Sequence, residues 1–412
     1  MKFSYPKIFL LGFGFFGVSV IWAVYNTFVP VFLQNKFGLG AGWVGFFMTL
    51  DNIAALLIQP PVGAWSDRLR TPLGRRLPFI LIGAPIGAVA FGLIPLAGAL
   101  PLFVACTSSL LLSMAFWRTP VVALMPDITP SQYRSQANGI VNFMGGLGAI
   151  IATLGGGALY KLNPAYPFWM GSGLVIAATL LLLLFVKEPR EFEASKERPN
   201  LLRSLKEVVQ AQDKSTLRIL LAIFCWFMAY NAIEAFFTLF AQNRLGLDVS
   251  DSARLLGQLS LVFVLFAFPA GFIGARLGRR LTILSGLAVM IVCLLSIFFL
   301  TPAALTLPLA KLPVLGVVPL VGAILMVLGA AWAAINVNSL PMVVDMTDNL
   351  HVGTYTGLYY LFSTLAAIVG PNLNGWVIQL MGNNYNLMMI IGPVFLVAAI
   401  VSMLGVGQGD VR

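Results

Sequence analysis

Twelve stretches of this chain stay apolar for long enough to cross a bilayer, and no other feature constrains the fold as strongly. A membrane-spanning helix needs roughly 20 apolar residues. The stretches are 8–33, 43–65, 78–99, 102–125, 136–160 and 168–185, then 217–240, 255–276, 281–300, 317–344, 353–380 and 387–406. Pro101 alone marks the break between the third and the fourth. The chain is 59% hydrophobic and 10% charged, whereas a soluble domain carries about 25% charged residues. No water-soluble core absorbs that much apolar surface, so the solvent for most of the chain is lipid and the fold class is an all-α membrane protein. The 40 glycines and 24 prolines fit this class, because neighbouring helices re-satisfy the backbone around them. Cys106, Cys225 and Cys293 all lie in apolar runs, which argues for packing residues and against a disulfide framework.

Lysine and arginine set the orientation. If both termini are cytoplasmic, the opposite side holds only Lys36, Lys161, Arg244, Arg254 and Lys311. The net charge of +10 then reflects the positive-inside rule and not nucleic-acid binding; no aromatic-interleaved basic patch suggests otherwise. The first apolar run lacks a small-residue cleavage site and reads as an uncleaved helix. The longest polar segment divides the chain into 1–187, a linker at 188–216, and 217–412. Within the linker, Leu201, Leu202, Leu205, Val208 and Val209 fall at helical spacing, as in a short amphipathic helix on the inner membrane surface. A flexible linker is the alternative.

The two halves repeat. Tyr25-Asn26 matches Tyr230-Asn231, and Gln34-Asn35-Lys36-Phe-Gly38 matches Gln242-Asn243-Arg244-Leu-Gly246. Gly63-Ala-Trp-Ser-Asp67-Arg68, followed after five residues by Gly74-Arg75-Arg76, returns in reduced form as Gly271-Phe-Ile-Gly-Ala-Arg276-Leu-Gly278-Arg279-Arg280. Asp127-Ile-Thr129 precedes Gly139 by the interval that separates Asp345-Met-Thr347 from Gly357. Six spans per half give both halves the same orientation. Parallel repeats of this kind are those of the major facilitator superfamily.

The long hairpin spacing, the Pro78-Phe79 that follows it, Gln59-Pro60, and the stretch from Arg118-Thr-Pro to Asp127-Ile-Thr-Pro and on to Arg134-Ser-Gln-Ala-Asn138 resemble sucrose–proton symporters and their bacterial sugar–cation relatives. The resemblance covers nearly the whole chain. It implies two six-helix pseudo-symmetric bundles about an axis along the membrane normal, with a polar cavity between them. It also implies gating by Asp67, Arg68, Arg75, Arg76, Asp127 and Arg134, a charge network expected to hold the halves together on the cytoplasmic side. The second hairpin departs from the first, with Ala275 where the first has Asp67.

Two motifs point elsewhere and fail. Gly12-Phe-Gly14-Phe-Phe-Gly17 fits a dinucleotide fingerprint but sits inside an apolar helix with no preceding strand; packing of small residues accounts for it, as it does for the glycines of 145–157. His351 is the one histidine and falls in a cytoplasmic loop, which leaves no basis for a histidine metal site or catalytic triad.

The chemistry resides in the ionisable groups of the spans, each costing about 3 kcal/mol at the bilayer centre on insertion scales. Glu234, in the middle of the seventh span, and Asp51, in the second, are the candidate proton carriers; Arg118 is a candidate for substrate or carboxylate pairing. A structural ion pair is the alternative for all three. Asn26, Asn52, Gln59, Asn142, Tyr230, Asn231, Asn338 and Tyr359 are candidate substrate contacts, with Asn336 and Asn372 nearby. Sugars present many hydroxyls, which amides and carboxylates satisfy, and one apolar ring face, which an aromatic plane covers. Trp22, Trp226 and Trp332 are candidate planes, with packing or a lipid-interface belt as the alternative. These features point to a monomeric twelve-helix transporter of the inner membrane that takes up a sugar or glycoside with a proton, by alternating access and without a cofactor. Alternatives are a sodium-coupled sugar symporter, a small-molecule exporter and a membrane sensor that does not transport. No nucleophile–base pair or metal cluster in the spans suggests an enzyme.

Overall fold

The computed structural model describes residues 5–129, 134–186, 188, 201–210, 212–313, 315–346 and 352–407. Helix α1 (Tyr5–Val31) runs into a π-helical turn, Phe32–Lys36. Next come α2 (Ala41–Phe47), α3 (Leu50–Arg68), α4 (Leu77–Leu93) and α5 (Leu100–Ile128). Helix α6 (Arg134–Ile150) passes through a second π-helical turn, Ile151–Gly155, into α7 (Gly156–Leu162), and α8 (Tyr166–Phe185) follows. After the short α9 (Leu201–Gln210) come α10 (Ser215–Leu245), α11 (Val249–Leu277) and α12 (Arg279–Phe299). A short α13 (Pro302–Leu305) leads into two strands, β1 (Pro308–Leu312) and β2 (Gly316–Pro319). The chain finishes with α14 (Leu320–Val344), α15 (Val352–Leu380) and α16 (Met388–Leu404). Among the described residues, twelve helical stretches are long and apolar enough to span a membrane, as the sequence requires.

Three local departures from the sequence reading have physical causes. The second span is broken: α2 ends at Phe47 and α3 starts at Leu50. Thr49 sustains the break by donating its hydroxyl to the Phe46 carbonyl at 2.8 Å, while the Asn372 amide donates to Thr49 Oγ1 at 2.9 Å. Asp51 therefore lies in the first turn of a helix and not inside an unbroken span. The tenth span starts at Leu320, later than expected, because 316–319 is a strand. The tight third-to-fourth connection is a 3₁₀ turn, Ile94–Leu96, before α5, whose first turn holds Pro101, where the absent N–H costs nothing.

Contacts divide the chain into two compact units. The first comprises Met1–Gly38, Ile53–Ala194 and Val249–Gly257. In it α1 packs on α6 and α8, and α4 packs on α5 and α8, around the fully buried Phe28, Phe91, Phe103, Trp117 and Phe168. A Cβ on Gly83 would stand 2.7 Å from the Trp117 side chain, so only glycine admits that indole between α4 and α5. The second unit comprises Leu39–Asn52, Ser195–Asp248 and Gln258–Arg412. There α10 packs on α15 and α16, α12 on α14 and α16, and α2 on α15, around Trp226, Phe236, Phe237, Phe240 and Tyr385. Helix α9 packs on α10 and α15 with Val208 buried and Val209 exposed.

The sequence repeat is punctuated by backbone geometry. Gly38 (φ +66°) and Gly246 (φ +67°) end the first and seventh spans. Gly74 (φ +112°) and Gly278 (φ +93°) precede the third and ninth. Residues with a Cβ rarely adopt these angles, which is why glycine recurs at the same places in both halves.

Candidate functional site

The first group of functional side chains lies within the first unit, where α3, α4, α5 and the segment after α8 converge. Arg75 Nη2 donates to Asp127 Oδ1 at 2.7 Å, and Arg76 Nε donates to Asp127 Oδ2 at 3.0 Å. Arg76 Nη2 also reaches Asp67 Oδ1 at 2.5 Å, and its Nη1 donates to the Ser66 hydroxyl. Both arginines are buried. Glu188 closes the cluster from the other side. Its carboxylate accepts from the backbone N–H of Arg76 at 2.9 Å and of Leu77 at 3.3 Å, and stands 3.8 Å from Arg75 Nε. It thereby satisfies N–H groups that the start of α4 leaves without helical partners. Arg68 is exposed. The side chain of Arg134, residues 189–200 and His351 lie outside the described residues.

The second unit carries the reduced counterpart. Arg279 pairs with Asp345 as Arg75 pairs with Asp127. Arg280 donates to the Leu404 carbonyl at the end of α16, where the first repeat uses Glu188 after α8. Ala275 supplies no counterpart to Asp67, as its sequence requires. Each of these pairs lies within one unit.

A second group, aromatic and polar, lies in the second unit. Tyr230 of α10 stacks on Trp332 of α14 with centroids 3.9 Å apart and planes 7° from parallel. Phe227, one turn earlier on α10, meets Trp332 edge-on at 5.3 Å and Tyr359 of α15 at 6.2 Å. The Tyr359 hydroxyl is 3.0 Å from Ser339 Oγ. Asn231 donates to the Phe227 carbonyl of its own helix at 2.7 Å. Glu234, half-buried, lies one turn beyond Tyr230. Three helices therefore bring Tyr230, Tyr359 and Trp332 together, with Asn231 and Glu234 beside them on α10. Asn338 serves a different contact: it is buried and donates to the Ala270 and Ala334 carbonyls at 3.1 and 2.9 Å, tying α14 to α11. Asn52 donates to Asp51 Oδ1 at 2.8 Å.

In the first unit, the guanidinium of Arg118 on α5 lies 6.0 Å from the ring of Trp22 on α1, within cation–π range. Trp22 meets Tyr25 edge-on at 5.9 Å. Asn26 and Gln59 are half-buried, and Asn142 is exposed. The indole N–H groups of Trp22 and of Trp226 in the second unit are buried without a hydrogen-bond partner among the described residues. A buried donor of this kind costs about 1–3 kcal/mol unless something accepts from it.

The family model described as Major Facilitator Superfamily matches residues 11–371. The chain belongs to the major facilitator superfamily. Its solved structural neighbours have the same fold. The nucleoside transporter NupG superposes with a TM-score of 0.76 at 16% identity, covering 98% of this chain and 99% of that one. A bacterial homologue of the human lysosomal transporter Spinster superposes with a TM-score of 0.75 at 16% identity, covering 98% and 97%. Among sequence relatives, multidrug resistance protein 1 of Bacillus subtilis is 25% identical over 278 residues, 66% of this chain and 68% of that protein. The fosmidomycin resistance protein of Escherichia coli is 26% identical over 371 residues, 86% and 82%. The sucrose transport protein SUC3 of Arabidopsis thaliana is 25% identical over 198 residues, 41% and 33%. This member of the superfamily is thus a multi-pass transporter related to proteins whose names span several substrates.

Sequence reasoning missed Glu188, Ser66, Ser339 and Thr49. Glu188 carried one signal, an acid placed directly after an apolar span amid basic residues. The three hydroxyl groups carried none, since serine and threonine are common throughout transmembrane helices.

Proposed function

We propose that this superfamily member is a proton-coupled symporter of a sugar or glycoside, cycling between states open to either side of the membrane. The observation that carries this reading is the composition of the α10 group: a carboxylate (Glu234) and an amide (Asn231) beside a stacked aromatic pair, Tyr230 and Trp332. Polar groups of this kind suit hydroxyls, and the aromatic faces suit a pyranose ring. Glu234 is the preferred proton carrier. It sits mid-helix beside Tyr230 and Asn231, whereas Asp51 has a helix start and the Asn52 amide beside it. Arg118, Asn26, Gln59 and Asn142 complete the proposed substrate contacts. Residues 1–187 and 217–412 form the proposed repeats, monomeric in the plasma membrane with both termini cytoplasmic.

The deciding experiment is uptake of a labelled sugar panel into proteoliposomes with and without an imposed pH gradient. Gradient-driven accumulation of a sugar supports the reading. A second reading, export of small molecules, is favoured by the coverage of the relatives: a resistance protein aligns over 86% of this chain, the sucrose transporter over 41%. In the same vesicles an exporter would move its substrate against the proton flow, and no sugar would accumulate.

A further inference from the structure

We propose that the β1–β2 hairpin between α12 and α14 is a membrane-docking element that lies in the headgroup layer of one leaflet, with Lys311 against lipid phosphates. It follows the ninth span, so it lies on the side of the membrane opposite the N-terminus. The strands pair antiparallel, Ala310 opposite Val318 and Lys311 opposite Val317, with an irregularity between Pro308 and Ala310.

A hairpin that faces water on one side alternates apolar and polar residues. This one does not. Every residue of β1 is exposed, and from 307 to 313 only Lys311 is polar. Leu307, Leu309, Leu312 and Val317 are all exposed, Leu309 at 53%. The exposure is built in rather than a sign of looseness. Gln258 of α11 donates to the Leu315 and Val317 carbonyls at 3.2 and 3.1 Å, and the Leu320 N–H donates to the Leu307 carbonyl at 2.9 Å. Leu315 and Val318 are buried beneath the hairpin. A firmly held element therefore presents a continuous apolar face outward.

The occupant of that face follows from continuity. Helix α12 ends at Phe299, 74% exposed, with only eight residues, α13 among them, between it and β1, and Val292 and Val289 extend the exposed apolar stripe along the same helix. In a membrane-spanning helix that stripe faces lipid, and so short a connection keeps the hairpin close to the end of that span, at the membrane surface. Depth follows from hydrogen bonding. Pro308 and Pro313 have no N–H to satisfy, but the remaining outward peptide groups of the β1 edge need partners that hydrocarbon lacks and the headgroup layer supplies. Lysine at such a depth extends its charge to the phosphates while its stem stays in apolar surroundings.

Nitroxide labels on Leu309→Cys and Leu312→Cys test this, in full-length protein with Cys106, Cys225 and Cys293 replaced by alanine and reconstituted into vesicles containing phosphatidylglycerol. Collision rates with oxygen and with a water-soluble nickel chelate are compared with a label on Lys161→Cys, which the charge pattern places on the same side. The expected result is an oxygen-to-chelate ratio several-fold above the control, at a depth of about 5–10 Å into the headgroup–acyl boundary. A ratio equal to the control means the hairpin faces water and overturns the proposal. Exclusion of both reagents, or spectral broadening that vanishes on dilution with unlabelled protein, means a protein surface or a second copy covers the hairpin and overturns it equally. Because both label sites are exposed, neither substitution disturbs packing, and a monodisperse elution profile confirms folding.

Discussion

Asp127 and Asp67 pair with the same arginine and differ in what their loss leaves behind. The Asp127 side chain is 13% exposed and bridges two buried guanidinium groups, whereas Asp67 is 56% exposed. Removing one partner of a buried pair strands the other charge and costs about 3–5 kcal/mol, while an exposed pair contributes about 0–1 kcal/mol. Asp127→Asn is therefore expected to lower the thermal unfolding midpoint well beyond Asp67→Asn, measured side by side in detergent. Comparable shifts for the two would show that Glu188 and Ser66 suffice to hold the arginines. Glu234→Gln, which mimics a fixed protonated state, is expected to keep substrate exchange and lose accumulation driven by a pH gradient, because a proton that never leaves cannot alter substrate affinity. If Glu234→Gln still concentrates substrate, the proton travels on another group, and Asp51→Asn is the next variant to assay. Glu234 stood out in the sequence because an acid inside an apolar run is rare. The Tyr230–Trp332 stack did not, since it depends on how α10 and α14 are placed in three dimensions, far apart in the chain.

Among elements, the helices were legible and their interruptions were not. Apolar length fixes a span, but the break at Met48-Thr49 lies among apolar residues with no proline or glycine at the break itself, and its stabilising partner, Asn372, comes from α15. The hairpin escaped notice because 308–312 falls in the connection between two apolar stretches, while most of the second strand reads as the start of the tenth span. Glycines record close approaches more faithfully. A Cβ on Gly375 of α15 would stand 2.5 Å from the Ala41 carbonyl, and one on Gly45 of α2 would collide with the Pro371 carbonyl. Neither obstacle is a side chain that can swing away. Gly375→Val is expected to cost about 1–3 kcal/mol through overpacking, seen as a lower unfolding midpoint, while Gly139→Ala, inside α6 with open space around it, is expected to raise the midpoint slightly. At the start of α10, the Ser215 backbone N–H donates to Asp213 Oδ1 at 2.8 Å, and this bond holds the exposed Asp213 carboxyl below its ordinary range. A carboxyl depressed in the folded state adds stability above its unfolded value and loses it as pH falls through the folded one. The protection of amides at the start of α10, taken relative to intrinsic exchange at each pH, is thus expected to fall on acidification into the low carboxyl range and to stay constant over that range in Asp213→Asn.

For the whole molecule, the proposed topology puts both termini on the cytoplasmic side, an assignment drawn from the distribution of basic residues. Cysteines introduced near either end are expected to react with a membrane-impermeant reagent in inverted vesicles and to resist it in intact cells; the reverse pattern would turn the chain over. The fold at this scale was legible because four paired motifs recur in order, and the structure supplies the reason for two of them in glycines with left-handed backbone. Substrate identity was not legible, and relatives named for drugs, fosmidomycin and sucrose explain why: one scaffold carries many cargoes in its side chains alone. The unequal hairpins have one more consequence. Arg75 and Arg76 of the first repeat are buried against Asp127 and Glu188, beyond the reach of mobile ions, whereas Asp345, the partner of Arg279, is 50% exposed. Salt screens exposed charges over about 8 Å at physiological ionic strength and hardly touches buried ones. A rise in salt concentration on that face of the membrane would therefore loosen one repeat and leave its twin unaffected, so that ionic strength acts on this symmetric scaffold as a one-sided lever.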